Sequence, residues 1–185
     1  MRTGTRLPDL NKWTIALIWI VLLIITTLLF SSILDSINNP NQQLSVSLNA
    51  TGQRQIVLQR NKYGHYVATG TINGHPVEFL LDTGATLVAV PEHIALQIGL
   101  KKGPAFQSQT ANGISLSYAT TIDELSLGGL TMRHVPASIS SGMDFDQVLL
   151  GMSFLKHLQL SQQGQTLTLT LPPELTGNDT NPVTH

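Results

Sequence analysis

The sequence predicts an all-β fold, a small closed barrel with one or two short helices, preceded by one transmembrane helix. Three observations lead to this prediction. Short apolar segments alternate with glycine-bearing turns over residues 55–172, two Asn-Gly pairs occur among those turns, and one long uncharged segment precedes them. The alternation is typical of β-strands, and the uncharged segment is typical of a membrane-spanning helix.

The uncharged segment covers residues 13–34 and reads WTIALIWIVLLIITTLLFSSIL. As a helix it would be about 33 Å long, enough to cross the hydrocarbon core of a lipid bilayer, which is about 30 Å thick. The alternative is a cleaved signal peptide. However, the apolar run is longer than the usual core of a signal peptide, and no Ala-x-Ala-like cleavage site follows it. We therefore expect an uncleaved membrane anchor.

The charges that precede the anchor predict its direction. Residues 1–12 carry Arg2, Arg6 and Lys12 against one acid, Asp9. Because basic residues concentrate on the cytoplasmic side of a span, this N-terminal segment is expected to be cytoplasmic. The rest of the chain would then face outward, which in a bacterium is the periplasmic side of the inner (cytoplasmic) membrane.

Two polar segments flank the predicted barrel. Residues 35–54 are nearly free of charge, which favours a flexible linker. Residues 173–185 are polar and contain proline, which favours a disordered tail. The barrel domain is therefore expected to occupy residues 55–172.

Four turns are predicted within the barrel. Asn73-Gly74 lies between HYVATGTI and HPVEFLL, and Asn112-Gly113 lies between FQSQTA and ISLSYATTI. An Asn-Gly pair between apolar strands is a strong signal for a tight hairpin. Gly128-Gly129 predicts a third turn, and QLSQQGQTLTLTL at residues 159–171 predicts a closing hairpin.

Two short helices are predicted between the strands. Pro91 and Gly99 bracket the first, since proline suits the start of a helix and glycine its C-terminal cap. The segment MSFLKHL, directly after Gly151, is the second candidate.

Composition excludes several classes of function. The chain has no cysteine, which rules out disulfides, thiolate metal sites and thiol nucleophiles. The six histidines do not fall at a metal-ligand spacing such as HExxH, so no metal and no cofactor are expected. With 11% charged residues and a net charge of -1, the chain offers no basic surface for nucleic acid.

One acid stands out. Asp82, in FLLDTGAT at residues 79–86, ends an apolar strand and is followed by small residues that would expose its carboxylate. Together with the turn TANG at residues 110–113 and LLG at residues 149–151, this segment resembles the retropepsin-like (retroviral-type) aspartic peptidases, and more closely their membrane-anchored bacterial relatives. The resemblance covers most of residues 58–171. It implies the retroviral-type acid protease fold and hydrolysis of peptide bonds in a polypeptide substrate.

The resemblance also implies roles for individual residues. Asp82 corresponds to the catalytic aspartate, Thr83 to a hydroxyl residue that hydrogen-bonds across a dimer, and Gly84 to the glycine that lets substrate backbone approach. A supporting role beneath the catalytic loop falls to the apolar segment Leu149, Leu150 and Gly151.

Two positions depart from the retroviral enzymes as a pair. Those enzymes carry an acid four residues after the catalytic aspartate and an arginine after the LLG-type glycine. Here Thr86 and Met152 occupy these positions. Because both ends of the ion pair are missing, the loss is coherent with the same fold.

Substrate contacts are expected from the residue after the triplet and from a flap hairpin near residues 110–118. Val88 and Ile114 are expected to line apolar subsites. The residues assigned to substrate binding are Ala85, Thr110, Ala111, Asn112, Gly113 and Ile114. Pepsin-like enzymes have a hydroxyl residue in place of Ala85, where it can hydrogen-bond the ionised aspartates. Alanine cannot, so we expect activity at weakly acidic to neutral pH.

Peptide hydrolysis without a covalent intermediate needs one group that takes a proton from water and another that donates a proton. Two aspartates that share one proton supply both. At an effective dielectric constant of about 20, two carboxylates about 3 Å apart repel by about 5 kcal/mol, so they resist ionising together. The DTG triplet occurs once in the sequence. The second carboxylate is therefore expected to be Asp82 of another copy, on the two-fold axis of a homodimer.

The other acids are not expected to be catalytic. They lack the flanking Thr-Gly and are interpreted as solvated or structural; they include Asp123, Glu124, Asp144 and Asp146.

Two other hypotheses for the function remain open. The main alternative is a non-catalytic, membrane-tethered β-barrel module that binds a peptide or a protein partner. The intact Asp82-Thr83-Gly84 triplet argues against it, because a pure binder has no evident use for an exposed carboxylate there. The third hypothesis is that the outward-facing domain is a structural spacer.

Overall fold

In a computed structural model, the structure describes residues 11–110 and 113–173, apart from the side chains of residues 32, 33 and 110. The chain divides into two compact units after Ser36. Most of the predicted tail lies outside the described residues.

The first unit is dominated by helix α1, which runs from Lys12–Asn38 over 27 residues. Its apolar side chains point outward all round; Trp13, for example, is 82% exposed and Leu23 is 68% exposed. The helix is long and apolar enough to cross a membrane, with a mean hydropathy of 2.7 over its most apolar window. A helix that is apolar on every face is stable where its surroundings are also apolar.

The second unit is mostly β and contains two short helices. In chain order its elements are β1 (Ser47–Leu48), β2 (Arg54–Gln59), β3 (Val67–Ile72), β4 (His75–Leu81), β5 (Val88–Pro91), α2 (Glu92–Gln97), β6 (Ala105–Thr110), β7 (Gly113–Leu127), β8 (Leu130–Ser140), β9 (Gln147–Leu150), α3 (Met152–Leu155), β10 (Gln159–Gln163) and β11 (Thr166–Thr170).

Six of these strands close into a ring in the order β3-β4-β9-β5-β8-β7, because β7 pairs back onto β3. Strand β6 extends the sheet beyond β7. The closure needs Gly70: a Cβ at this position would lie 2.4 Å from the carbonyl oxygen of Ser126 and 2.8 Å from the ring of Phe79. The predicted small closed barrel is therefore confirmed.

A second sheet, in the order β1-β2-β11-β10, packs against the barrel. Its buried side chains, Ile56, Leu58, Leu167 and Leu169, join the same apolar core as Phe79 of the barrel. The second unit thus has one continuous core.

The predicted hairpins form as the turn residues require. Asn73 and Gly74 both have positive φ, 49° and 79°, as a type I′ turn demands. Gly128-Gly129 joins β7 to β8, and Gly164 lies in the turn between β10 and β11. At the second Asn-Gly pair, Thr110 pairs with Gly113, while residues 111–112 lie outside the described residues.

The two predicted short helices are also present. Pro91 precedes α2 directly, and Gly99 follows it with a φ of 71°. Helix α3 begins at Met152, one residue after Gly151.

The expected flexible linker over residues 35–54 is wrong at Asn39 and Asn41, which are fixed in place. Asn39 and Asn41 are only 2% and 4% exposed, and both hold the chain to the barrel. The Asn41 side chain donates to the carbonyl oxygens of Gln59 and Val67 at 2.9 and 2.7 Å, and its oxygen accepts from the Gln59 amide at 2.7 Å. These asparagines are buried because their hydrogen bonds are satisfied by strands that lie far along the sequence.

Candidate active site

Strand β4 delivers Asp82 to one end of the barrel. Strand β4 lies between β3 and β9, and its last residue, Leu81, pairs with Leu150 of β9. The Asp82 amide then donates to the Leu150 carbonyl oxygen at 3.2 Å. Asp82 therefore follows a strand that neighbours fix on both sides.

The residues that follow fold back on the carboxylate. We call residues 82–87 the Asp82 loop. The Gly84 amide donates to Asp82 Oδ1 at 2.8 Å, and the Ala85 amide donates to the Asp82 carbonyl oxygen at 3.2 Å. A side chain at position 84 would place its Cβ 3.1 Å from the same Oδ1, which is tighter than ordinary contact. A glycine here thus leaves the carboxylate uncrowded.

The LLG segment, residues 149–151, packs against the Asp82 loop. A Cβ at Gly151 would lie 2.1 Å from the Leu87 carbonyl oxygen and 2.7 Å from that of Ala85, so the backbones are in direct contact. The Met152 amide donates to the Ala85 carbonyl oxygen at 2.8 Å. Leu150 is fully buried. The structure therefore brings this segment against the Asp82 loop.

Ser153 is a further support that the sequence did not indicate. Its amide donates to the carbonyl oxygen of Thr86 at 2.9 Å, and its Oγ accepts from the Val88 amide at 2.9 Å. Only 6% of Ser153 is exposed. The signal available in the sequence was a serine among apolar residues at the start of a predicted helix, because a buried hydroxyl needs a hydrogen-bond partner.

The carboxylate borders a cavity of about 290 Å³. Its lining comes from the residue before β3, the end of β4, the Asp82 loop, α3 and the β10–β11 hairpin: Tyr66, Leu81, Asp82, Thr83, Leu155, Leu160, Gln162 and Leu167. Asp82 is the one acid in this lining. Thr83 and Gly84 are exposed, and Asp82 is half-buried.

Tyr66 contributes an unusual polar group to this region. Its hydroxyl oxygen is buried and has no hydrogen-bond partner among the described residues. Its carbonyl oxygen accepts from the Leu81 amide at 3.0 Å, which fixes the residue beside the end of β4. Sequence inspection had no means of finding it.

The other acids lie away from the cavity lining. Glu124 pairs with Arg133 at 3.2 Å, and Asp146 is 95% exposed beside His93. Asp123 and Asp144 are exposed. Glu92 forms an ion pair with Lys102, and the hydrogen bond from Lys102 holds the pKa of Glu92 below its usual value, helped by Ser141. The described part of the domain thus offers Asp82 no second carboxylate in its cavity.

Strands β6 and β7 pair as the two arms of the flap hairpin, but none of the hairpin's described residues lines the cavity. Ile114 is 74% exposed and Leu116 is 48% exposed. Gly113 is exposed at the start of β7, while Ala111 and Asn112 lie outside the described residues. Thr110 ends β6 and pairs through its backbone with Gly113. Among the described residues of this hairpin, none belongs to the lining of the cavity that Asp82 borders.

The expected subsite role of Val88 is wrong. Val88 is fully buried and belongs to the apolar core. Its amide is held by Ser153, so the strand turns its side chain inward. Ala85, by contrast, is half-buried within the Asp82 loop.

Sequence comparison finds one matching protein family and a similar bacterial protein. Residues 68–157 match the family model described as gag-polyprotein putative aspartyl protease. An uncharacterized protein in the cobV 5′ region of Sinorhizobium sp is 35% identical over 123 residues, which cover 64% of this chain. The chain spans about half, 52%, of the length of that relative.

Structure comparison finds similar folds. The crystal structure of a retropepsin-like aspartic protease from Rickettsia conorii matches 62% of this chain and 98% of its own, at 27% identity and a TM-score of 0.53. EIAV protease in complex with the inhibitor HBY-793 matches 54% of this chain and 92% of its own, at 19% identity and a TM-score of 0.42.

Proposed function

We propose that this chain is a membrane-anchored aspartic endopeptidase of the retropepsin-like family that works as a homodimer. The proposal is supported by the match of residues 68–157 to the putative aspartyl protease family model and by the similarity to the Rickettsia conorii protease. One observation carries the proposal: among the described residues that line the cavity beside the end of β4, Asp82 is the single acid. Two copies of Asp82, one from each subunit, then act together on a water molecule.

The chemistry needs little from each subunit. One carboxylate of the pair takes a proton from the attacking water while the other, protonated, donates to the carbonyl oxygen and then to the leaving amine. In this chain the Gly84 amide orients Asp82 Oδ1. The exposed Thr83 is available to a second subunit, and the exposed Gly84 allows a peptide backbone to approach.

The anchor supports an arrangement at a membrane. Helix α1 supplies a span of sufficient length, and the basic residues before it favour a cytoplasmic N-terminus and a periplasmic catalytic domain. Two anchored domains meet at a raised effective concentration, which favours the dimer. A polypeptide close to the bilayer, such as a membrane-proximal periplasmic protein, is the corresponding substrate.

A non-catalytic binding module is the second candidate. The exposed apolar flap residues Ile114 and Leu116 favour it, since they can cover a bound peptide without any chemistry. The two candidate functions make different demands on Asp82. An aspartic peptidase needs its carboxylate, whereas a binding module does not.

The test uses the full chain in detergent micelles with a library of peptides. Asp82→Asn keeps an oxygen to accept from the Gly84 amide, so the fold is expected to persist while cleavage falls by about 10²- to 10⁴-fold. Thermal unfolding of the variant checks the fold. Equal cleavage by the variant and the unchanged protein would sink the peptidase assignment, whereas unchanged peptide binding without any cleavage by either would support the binding module.

A further inference from the structure

The loop between β2 and β3 carries basic and aromatic side chains on the surface of the second unit. We call residues 60–65, RNKYGH, the basic loop. Arg60 and Lys62 are exposed, and Tyr63 is 63% exposed. The Lys62 ammonium lies over the Tyr63 ring, with Nζ 4.8 Å from the ring centre. Among the described residues, neither Arg60 nor Lys62 forms an ion pair with an acid.

Hydrogen bonds from Asn61 hold the basic loop in shape. Its Oδ1 accepts from the amides of Tyr63 and His65 at 3.0 and 2.9 Å, and its own amide donates to the His65 carbonyl oxygen at 2.8 Å. Arg60 adds a further bond, since its Nε donates to the Gly64 carbonyl oxygen at 2.7 Å. The backbone around Tyr63 is therefore fixed.

The basic loop is bonded to the point where the chain enters the domain. The Asn61 side chain donates to the Asn38 carbonyl oxygen at 3.0 Å. The next residue, Asn39, is 2% exposed and is held by side chains of β3 and β4. The predicted span ends at Leu34, so residues 35–38 alone connect it to Asn39, and they reach at most about 18 Å. The basic loop is therefore confined to the neighbourhood of any bilayer that the helix crosses.

The side chains of the loop are suited to the surface of a bilayer. Tyrosine is enriched at the boundary between lipid and water, because its ring is apolar and its hydroxyl is polar. Each lysine or arginine near an anionic surface strengthens binding about fivefold. Residues 35–65 contain three bases, Arg54, Arg60 and Lys62, against a single acid, Asp35. The charge of this part of the chain is therefore opposite to that of lipid phosphates.

We propose that the basic loop docks on the headgroups of anionic phospholipids in the bilayer that anchors the chain. Arg60 and Lys62 contact the lipid phosphates, and the Tyr63 ring lies at the boundary with the acyl chains. Docking gives the domain one orientation on the membrane, which the anchor alone does not. This inference rests on the proposed function, because it requires helix α1 to span a bilayer.

The docked orientation determines which substrates reach Asp82. Tyr66 follows the basic loop directly, lines the cavity of Asp82 and accepts a hydrogen bond from the Leu81 amide. Strands β3 and β4 are antiparallel, so the start of β3 and the end of β4 lie at the same end of the barrel. The chain from Tyr63 to Tyr66 spans at most about 11 Å. The cavity therefore lies near the bilayer, and its substrates are segments of membrane-anchored polypeptides close to the lipid surface.

Single cysteines test the docking, since the chain has none of its own. Full-length His65→Cys is labelled with an environment-sensitive fluorophore in vesicles of phosphatidylcholine and phosphatidylglycerol. A nitroxide on the lipid headgroups is expected to quench this label. The matched control is Leu96→Cys, at a residue that is 70% exposed on α2. Helix α2 follows β5, which runs antiparallel to β9 and hence to β4, so α2 lies away from Asp82 and its label should stay unquenched.

A charge reversal tests which side chains bind the lipid. Lys62→Glu with Tyr63→Ser, in the labelled His65→Cys chain, should abolish the quenching. The reversal of charge alone should lower the ratio of docked to undocked domain about 30-fold. Lys62→Arg should keep the quenching, and vesicles of phosphatidylcholine alone should weaken it. Lys101→Glu, at an exposed lysine that follows α2, is the matched charge control and should leave the quenching unchanged.

Cleavage of lipid-anchored peptides tests the position of the site. Two peptides share one cleaved sequence, selected from the peptide library, and differ only in the length of the spacer between that sequence and the lipid. The unchanged protein should cut the peptide with the short spacer faster. Lys62→Glu with Tyr63→Ser should lose this preference. Equal cleavage of both peptides by the unchanged protein would overturn the placement of the cavity near the bilayer.

The outcomes separate this inference from the proposed function. Quenching at position 65 that the double substitution abolishes, without any peptide cleavage, supports the docking and overturns the peptidase. Cleavage that depends on Asp82, with no quenching at position 65, supports the peptidase and overturns the docking. Equal quenching at positions 65 and 96, or quenching that survives the double substitution, also overturns the docking. Extraction of the chain from the vesicles by alkaline carbonate overturns both the anchor and the docking.

Discussion

The Asp82 loop and the flap hairpin are held in opposite ways. The loop rests on a glycine with no room for a side chain, on amide donors from α3 and on a buried serine. The flap hairpin exposes large apolar residues, and none of its described residues lines the cavity. The difference indicates that contacts within the domain fix the carboxylate, whereas the flap hairpin presents an exposed apolar surface.

Gly151→Ala should have the largest effect, because it strikes the support of the Asp82 loop. The added Cβ overlaps two carbonyl oxygens, of Leu87 and Ala85, and the backbone must move. We expect a loss of about 3 kcal/mol in the free energy of unfolding, together with loss of cleavage. Chemical denaturation measures the first.

Gly52→Ala provides the control for Gly151→Ala. Gly52 has a φ of 77° but open space around it, so the substitution should cost about 1 kcal/mol and leave cleavage intact. A loss at Gly151 no larger than the loss at Gly52 would contradict the tight packing of the loop.

Ser153→Ala should come next. It leaves the buried Val88 amide without its acceptor, which costs about 2 kcal/mol. Unfolding of the variant and of Ser47→Ala, an exposed serine, provides the comparison. If both substitutions change stability by the same small amount, the Ser153 hydroxyl does not support the loop.

Ile114→Ser probes the flap hairpin and should lower cleavage activity while leaving stability nearly unchanged. Since Ile114 is 74% exposed, the free energy of unfolding should change by less than about 0.5 kcal/mol. If the hairpin closes on a peptide, the buried area lost should lower kcat/KM about tenfold. Steady-state cleavage measures this, and an unchanged kcat/KM would show that the flap hairpin does not cover substrate through this residue.

Tyr66→Phe should have the smallest effect. The hydroxyl is buried without a partner in the described residues, so its removal should leave stability unchanged or raise it by up to about 1 kcal/mol. A clear loss of stability on thermal unfolding would reveal a bound water or a partner for this hydroxyl.

Local chemistry made much of the fold predictable. Asn73-Gly74 had to be a tight turn because few other pairs tolerate two positive φ angles. The placement of Asp82 after an apolar strand likewise followed from sequence. What the sequence could not indicate depended on distant partners: Asn39 and Asn41 look like solvated linker residues until β2 and β3 lie beside them. The subsite prediction for Val88 was wrong for a related reason, because an apolar strand sequence alone does not say which face of the strand is buried.

The buried asparagines also decide how the domain can be excised for study. A soluble version cut at residue 55, the expected start of the domain, would strip Asn41 from the amide and carbonyl of Gln59 and from the carbonyl of Val67. It would also remove the donor that Asn39 offers to Glu78 on β4, the strand that ends at Asp82. Cutting after Ser36 keeps all of these bonds, so the shortest sound fragment begins at the edge of the helix rather than at the first long strand.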